Sequence, residues 1–154
     1  MAGKNAGTGI GLVEIYDVDQ SVPLANVELA DISTRGLVQT GNNVMIGGFI
    51  LSNGNETSII LRGIGPSLAQ SGITNPLADP TLELHDNNGA LLVANDNWQD
   101  DPTTAAQLIA YGLGPTSPLE SGIYISLPSG LYTEILAGNN DGMGVGLVEV
   151  YNIH

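Results

Sequence analysis

Short runs of β-branched and aliphatic residues, broken roughly every 8 to 15 positions by clusters of Gly, Asn, Asp and Pro, run through this 154-residue chain. Runs of that length between turn-forming clusters predict strands over 10–18, 27–32, 43–51, 57–62, 81–85, 90–94, 122–126, 132–136 and 145–151, enough for two sheets. The fold class expected is all-β, a two-sheet jelly-roll-like β-sandwich with one or two short helices. Turn chemistry predicts hairpins at 52–55 (SNGN), 86–89 (DNNG) and 128–130 (PSG), where residues tolerant of positive φ gather. Helical character is confined to 103–111 (TTAAQLIAY), with Asp101-Pro102 as a start signal and Gly112 as a stop, and to a shorter turn after Pro66 in PSLAQSG.

One strand pattern occurs twice. GTGIGLVEIYDVD at 7–19 returns as GMGVGLVEVYNIH at 142–154, with Gly7/Gly142, Gly9/Gly144, Gly11/Gly146, Leu12/Leu147, Val13/Val148, Glu14/Glu149 and Tyr16/Tyr151 identical. Such self-similarity marks units that stack or chain together, so assembly is the first functional idea. In the first copy Val13 and Ile15 alternate with Leu12, Glu14 and Tyr16, which gives one aliphatic face suited to covering a core and one mixed face. The chain therefore divides into an N-terminal arm with its linker, 1–20, and a sandwich module, 21–154. The assembly strand is read at Ile10, Leu12, Val13, Glu14, Ile15, Tyr16 and Val18, and its duplicate at Val145, Leu147, Val148, Glu149, Val150 and Tyr151. Two origins fit the duplication: a fragment cut from a tandem array, or a spare strand used to polymerise through an exposed sheet edge.

Composition narrows the partners. Acidic residues outnumber basic ones 16 to 3, for a formal charge of -13, and three basic residues cannot build the Lys/Arg surface that nucleic acid or an anionic membrane requires. The length suits one domain able to bury about two thirds of its unfolded surface without disulfides or a metal. The chain has no Cys, which is compatible with the cytoplasm or a bacterial exterior. The first residues, MAGKNAGTGIG, hold no apolar signal core, and no apolar run approaches the roughly 18 residues of a membrane span. An exported form would carry its signal outside this sequence.

Catalytic chemistry is hard to assemble from these residues. The two histidines are His85, at the end of a predicted strand, and the terminal His154, so neither a Ser/His/Asp triad nor a zinc ligand set has its usual parts. Hard oxygen ligands gather at Asp86, Asn88, Asp96, Asp100 and Asp101, a set that suits calcium. The competing reading makes Asp86 a hairpin residue and Asp101 a helix cap. Arg35 and Arg62, the only arginines, sit beside glycines and are expected to form structural ion pairs with carboxylates such as Asp79 or Glu83. GIGPS at 63–67 lacks the lysine and spacing of a phosphate loop. Trp98, Tyr124 and Tyr132 could stack sugars, or Trp98 could anchor the core.

The ordered motifs ADISTRGLVQTGNNVMIGGFIL, ILRGIGPSLAQSGITNPLADPTLELHDNNGALLVANDNW, LESGIYISLPSGLYTEILAG and GVGLVEVYNI, over about 30–153, resemble a repeat module of very large secreted bacterial proteins. The second half, TLELHDNNGALLVANDNW through LPSGLYTEILAG, is also similar to the pre-peptidase C-terminal type of β-sandwich. Both resemblances imply an extracellular or cell-surface, noncatalytic sandwich, and the second implies possible calcium or polymer binding. The expectation is a structural protein with no required cofactor whose partners are other copies of itself, joined head to tail by strand addition. The alternative is a carbohydrate- or calcium-binding accessory module of a secreted multidomain protein.

Overall fold

The computed structural model describes residue 5 and residues 9–14, 31–51 and 56–153. Eight strands form two antiparallel sheets: β1 (Asp31–Val38), β2 (Met45–Leu51), β3 (Thr57–Ile64), β4 (Pro80–His85), β5 (Leu91–Asn95), β6 (Ser121–Leu127), β7 (Gly130–Gly138) and β8 (Gly144–Ile153). The first sheet has the order β1-β8-β3-β6 and the second β2-β7-β4-β5. Pairing is nested, β1 with β8, β2 with β7, β3 with β6 and β4 with β5, which is a long antiparallel ribbon rolled into two layers. That is the jelly-roll topology, and the expected all-β sandwich is what forms.

Rolling the ribbon corrects two of the three expected hairpins. Asp86–Gly89 does close β4 onto β5, with Gly89 N donating to Asp86 O and Asp86 N to Ala90 O. The PSG segment instead carries the chain from β6 in one sheet to β7 in the other, and the Tyr132 hydroxyl pins this corner by donating to Pro128 O at 2.8 Å. SNGN lies outside the described residues, but its flanking strands β2 and β3 belong to different sheets and do not pair. Turn residues report a change of direction without specifying which sheet receives the chain. Of the strand expected at 27–32, residues 27–30 lie outside the described residues, while Asp31 and Ile32 begin β1, which continues to Val38 through largely exposed residues that lack strong apolar alternation.

Two cores result. Between the sheets, Ile59, Leu61, Ile123, Val148 and Val150 from the first pack against Phe49, Leu82, Leu84, Tyr132 and Leu136 from the second. On the far side of the first sheet, Ile60 meets Trp98 and Leu108, the latter from α1 (Pro102–Ala110). Burial on both faces explains the uninterrupted Ile59-Ile60-Leu61 run, where a half-solvated strand would alternate. The outer face of the second sheet keeps Ile46, Ile50 and Leu131 exposed.

The helix is held by its cap. Asp101 accepts hydrogen bonds from Thr103 N, Thr104 N and Thr104 Oγ1, and Pro102 occupies the first turn, where a missing N–H costs nothing. The Thr104 hydroxyl first, then the two amides, hold the Asp101 carboxyl below its usual pKa. Its contribution is therefore present above the ordinary carboxylate range and lost as pH falls through the lowered value. Asp101→Ala is expected to lower Tm at neutral pH by roughly 3 °C, with the difference from wild type shrinking in acid, as followed by circular dichroism melts.

Candidate assembly site

The duplicated strand, in its second copy, is β8, and it occupies an interior place between β1 and β3. Val148 and Val150 face the inter-sheet core, as the aliphatic alternation predicted, while Leu147, Glu149 and Tyr151 face outward. Glu149 stands opposite Ser33 of β1 on one side and Arg62 of β3 on the other. Arg62 Nε donates to Glu149 Oε2 at 2.9 Å, Nη2 donates to the same oxygen and to Tyr151 Oη at 2.9 Å, and Nη1 donates to Leu113 O at 2.9 Å. The Tyr151 hydroxyl closes the triangle by donating to Glu149 Oε1 at 3.0 Å. Burial holds that phenol above its usual pKa, so it remains a donor at neutral pH.

Register is also read by the absence of side chains. A Cβ on Gly144 would lie 2.6 Å from both Leu77 N and Pro76 O, and one on Gly146 would lie 2.7 Å from Leu136 Cδ2. Real Cβ atoms do not approach that closely; at Gly144 the obstructing atoms are backbone and cannot give way, so the slot demands glycine there, whereas at Gly146 a leucine methyl would have to move. Just beyond, Leu77 N donates to Val145 O and Val145 N to Asn75 O, so the 75–77 segment grips the start of β8 through its backbone.

The first copy repeats these residues, and at Gly9 the backbone contacts that Gly144 meets are missing. Gly9 and Gly11 match Gly144 and Gly146, and Glu14 matches Glu149, yet nothing lies within 4 Å of a Cβ built on Gly9. Residues 9–14 form no strand here, and Ile10, Leu12 and Val13 are 90%, 77% and 61% exposed. Ile15, Tyr16 and Val18, with the rest of 15–30, lie outside the described residues.

Other expected sites are rearranged. Arg62 does form a structural ion pair, but with Glu149 rather than Asp79 or Glu83. Glu83 pairs with His85 Nε2 at 2.8 Å, and this bond, then the Gly89 carbonyl, raises the His85 pKa. Arg35 lies on β1 opposite Leu147 and has no ion pair among the described residues. Asp79 Oδ2 accepts from Asn139 Nδ2 at 3.0 Å. The five oxygen-bearing residues considered for calcium do not converge. Asp86 accepts from Asn88 N and Ala90 N within its hairpin, Asp101 caps α1, and Asp100 accepts from Asn97 Nδ2. Asp96 faces Asp79 instead, sharing the Asn139 amide, and burial followed by repulsion from Asp79 and Asp100 raises its pKa. No group of three or more His, Cys, Asp or Glu placed to hold a metal ion occurs among the described residues. Trp98 is a core anchor whose Nε1 donates to Ser117 O at 3.1 Å, and Tyr132 lies in the other core, so the two share no sugar-stacking face.

Two buried carboxylates escaped the sequence pattern because each is an isolated acid among ordinary neighbours. Glu120 accepts from Gly65 N, Ser67 N, Ser67 Oγ and Ser117 N, so the amides of the GIGPS turn bind an internal carboxylate. Glu134 faces the inter-sheet core opposite Gly47, with Oε2 buried and unpartnered. The Arg62–Glu149–Tyr151 cluster left a clearer signal, since Glu and Tyr are the polar positions kept in both copies of the segment.

Among the described residues no helix is long and apolar enough to cross a membrane. No family model matches the chain and no curated protein matches it, so the resemblance to a repeat module gains no support there. Among solved structures, the pre-peptidase C-terminal domain of collagenase from Bacillus anthracis is similar, with a TM-score of 0.49 and 11% identity over 79% of this chain and 89% of that one.

Proposed function

We propose that this protein is a noncatalytic structural module of the cell exterior that associates with further copies of itself by β-strand addition of its N-terminal arm. The observation that carries this reading is the arm's copy of the β8 sequence, in which Ile10, Leu12 and Val13 are exposed and Gly9 keeps the glycine of Gly144 with nothing within 4 Å of a Cβ there. Strand addition supplies backbone hydrogen bonds, and alternate side chains supply specificity. Three exposed aliphatic residues on the arm provide apolar area to be buried on contact. A head-to-tail contact that does not close on itself generates a filament.

The acidic surface sets the conditions. Subunits of formal charge -13 repel one another, and salt shortens the range of that repulsion. Association is expected to increase with protein concentration and between about 10 and 150 mM NaCl. The test is light scattering and electron microscopy of the full chain beside a form lacking residues 1–20. Filaments or oligomers that disappear on truncation support the reading, whereas monomers in both samples at high concentration and salt defeat it.

A further inference from the structure

Resting on that reading, we infer that the arm's acceptor is the interior slot now filled by β8, and that Arg62 of one copy receives Glu14 of another. Placed by the residue equivalences, the arm would set Glu14 opposite Ser33 and Arg62, Val13 opposite Thr34 and Gly63, and Gly9 opposite Val38. Each equivalence meets a demand already shown by β8. Glu14 replaces the carboxylate that takes two guanidinium donors, and Gly9 and Gly11 replace the glycines facing Leu77, Pro76 and Leu136. A strand shifted by one residue would put side chains where only hydrogens fit and point its carboxylate into the core. An open edge such as β1 imposes neither demand.

Each copy has one slot and two strands that suit it, so exchange trades β8 for an arm and conserves most contacts. The resident strand competes from within its own chain at an effective concentration on the order of 1 mM. The arm has Ile10 and Ile15 where β8 has Val145 and Val150, two additional methylenes that favour it by about fourfold each if the slot accommodates them. Exchange is therefore expected from about 0.1 to 1 mM protein. It should be slow in the native state, because β8 is hydrogen-bonded on both sides.

The chain contains no cysteine, which allows a direct test. Glu14→Cys combined with Ser33→Cys is introduced into the full chain, which is refolded at about 1 mM so that both strands compete, then oxidised and run on a non-reducing gel. Disulfide-linked dimers and longer ladders are expected. Adding Gly9→Ala should reduce them at least about tenfold while leaving the melting temperature of the monomer unchanged, because alanine fits the free arm and not the slot. Ser33→Cys with Glu149→Cys, which should close within one chain, verifies the geometry. Bonds between 14 and 33 found only within single chains, with the arm folded back on its own β1, would overturn the inference, as would ladders indifferent to Gly9→Ala. If association depends on residues 1–20 but no 14–33 bond forms, strand addition survives and the slot assignment fails. A wild-type chain that stays monomeric under these conditions removes both.

Discussion

Glu134→Gln is expected to abolish most of a stability loss that the wild-type protein suffers as pH rises. Glu134 points into the inter-sheet core, and burial pushes its carboxyl from the ordinary 4.5 up to about 8. The folded-state value lies above the unfolded one, so the neutral form is favoured by folding. The stability this group leaves intact is complete below about pH 4.5, declines as pH rises toward 8, and falls little further beyond. Integrated between about pH 5 and pH 9, the loss is about 4 kcal/mol, a large fraction of a domain's total. Glutamine has nearly the same volume and does not ionise, so the variant should lack this component while keeping the contributions of every other titrating group. Urea denaturation of both proteins at about pH 5, 7 and 9 measures the difference directly. Parallel stability curves would show that the carboxyl is solvated or paired as an anion. Gly47 makes the arrangement possible, since a Cβ there would run into the Glu134 side chain.

Gly144→Ala should destabilise the fold by at least about 3 kcal/mol, or roughly 10 °C in Tm, although it adds a single methyl group. The new Cβ would lie 2.6 Å from backbone atoms of Pro76 and Leu77, and backbone cannot move aside as the tip of a long side chain can. Relief would require separating β8 from the 75–77 segment, with loss of the Leu77 N to Val145 O bond at 2.8 Å and the Val145 N to Asn75 O bond at 2.7 Å. Gly9→Ala, the same change at the arm's equivalent position, should alter monomer stability by less than about 0.5 kcal/mol. Thermal melts of both variants in dilute solution check the contrast. Equal effects at the two positions would mean that the arm is packed in the monomer much as β8 is.

Several elements were legible in the residues alone for local reasons. Asp101-Pro102 and Gly112 bound α1 because capping and helix termination depend on neighbours in sequence. DNNG closes the β4–β5 hairpin because a tight turn is made within four residues. The pairing of Val148 and Val150 with the core followed from the period of a strand. The long-range partners were not legible. Arg62 selects Glu149, 87 positions away, because β3 and β8 are neighbours in the sheet, and no local spacing encodes that adjacency. Trp98 was ambiguous for the same reason, since α1 and the outer face of β3 together decide that it is buried. The hairpin expected at PSG failed because its turn residues are equally suited to a corner between layers.

By itself, the sequence determined the all-β class, the strand and helix positions of most elements, the acidic surface, and the existence of two segments with equivalent residues. Those properties depend on side-chain period, turn chemistry, charge counting and identity, each of which is local or additive. Only the tertiary structure decided that the second of the equivalent segments is an interior strand, that Gly144 is demanded by backbone of Pro76 and Leu77 and Glu149 is paired with Arg62, and that Gly9 meets no such backbone. The physical reason is that a slot is a relation among segments distant in sequence. Its shape and charge come into being when β1 and β3 are brought to either side of the strand that fills it.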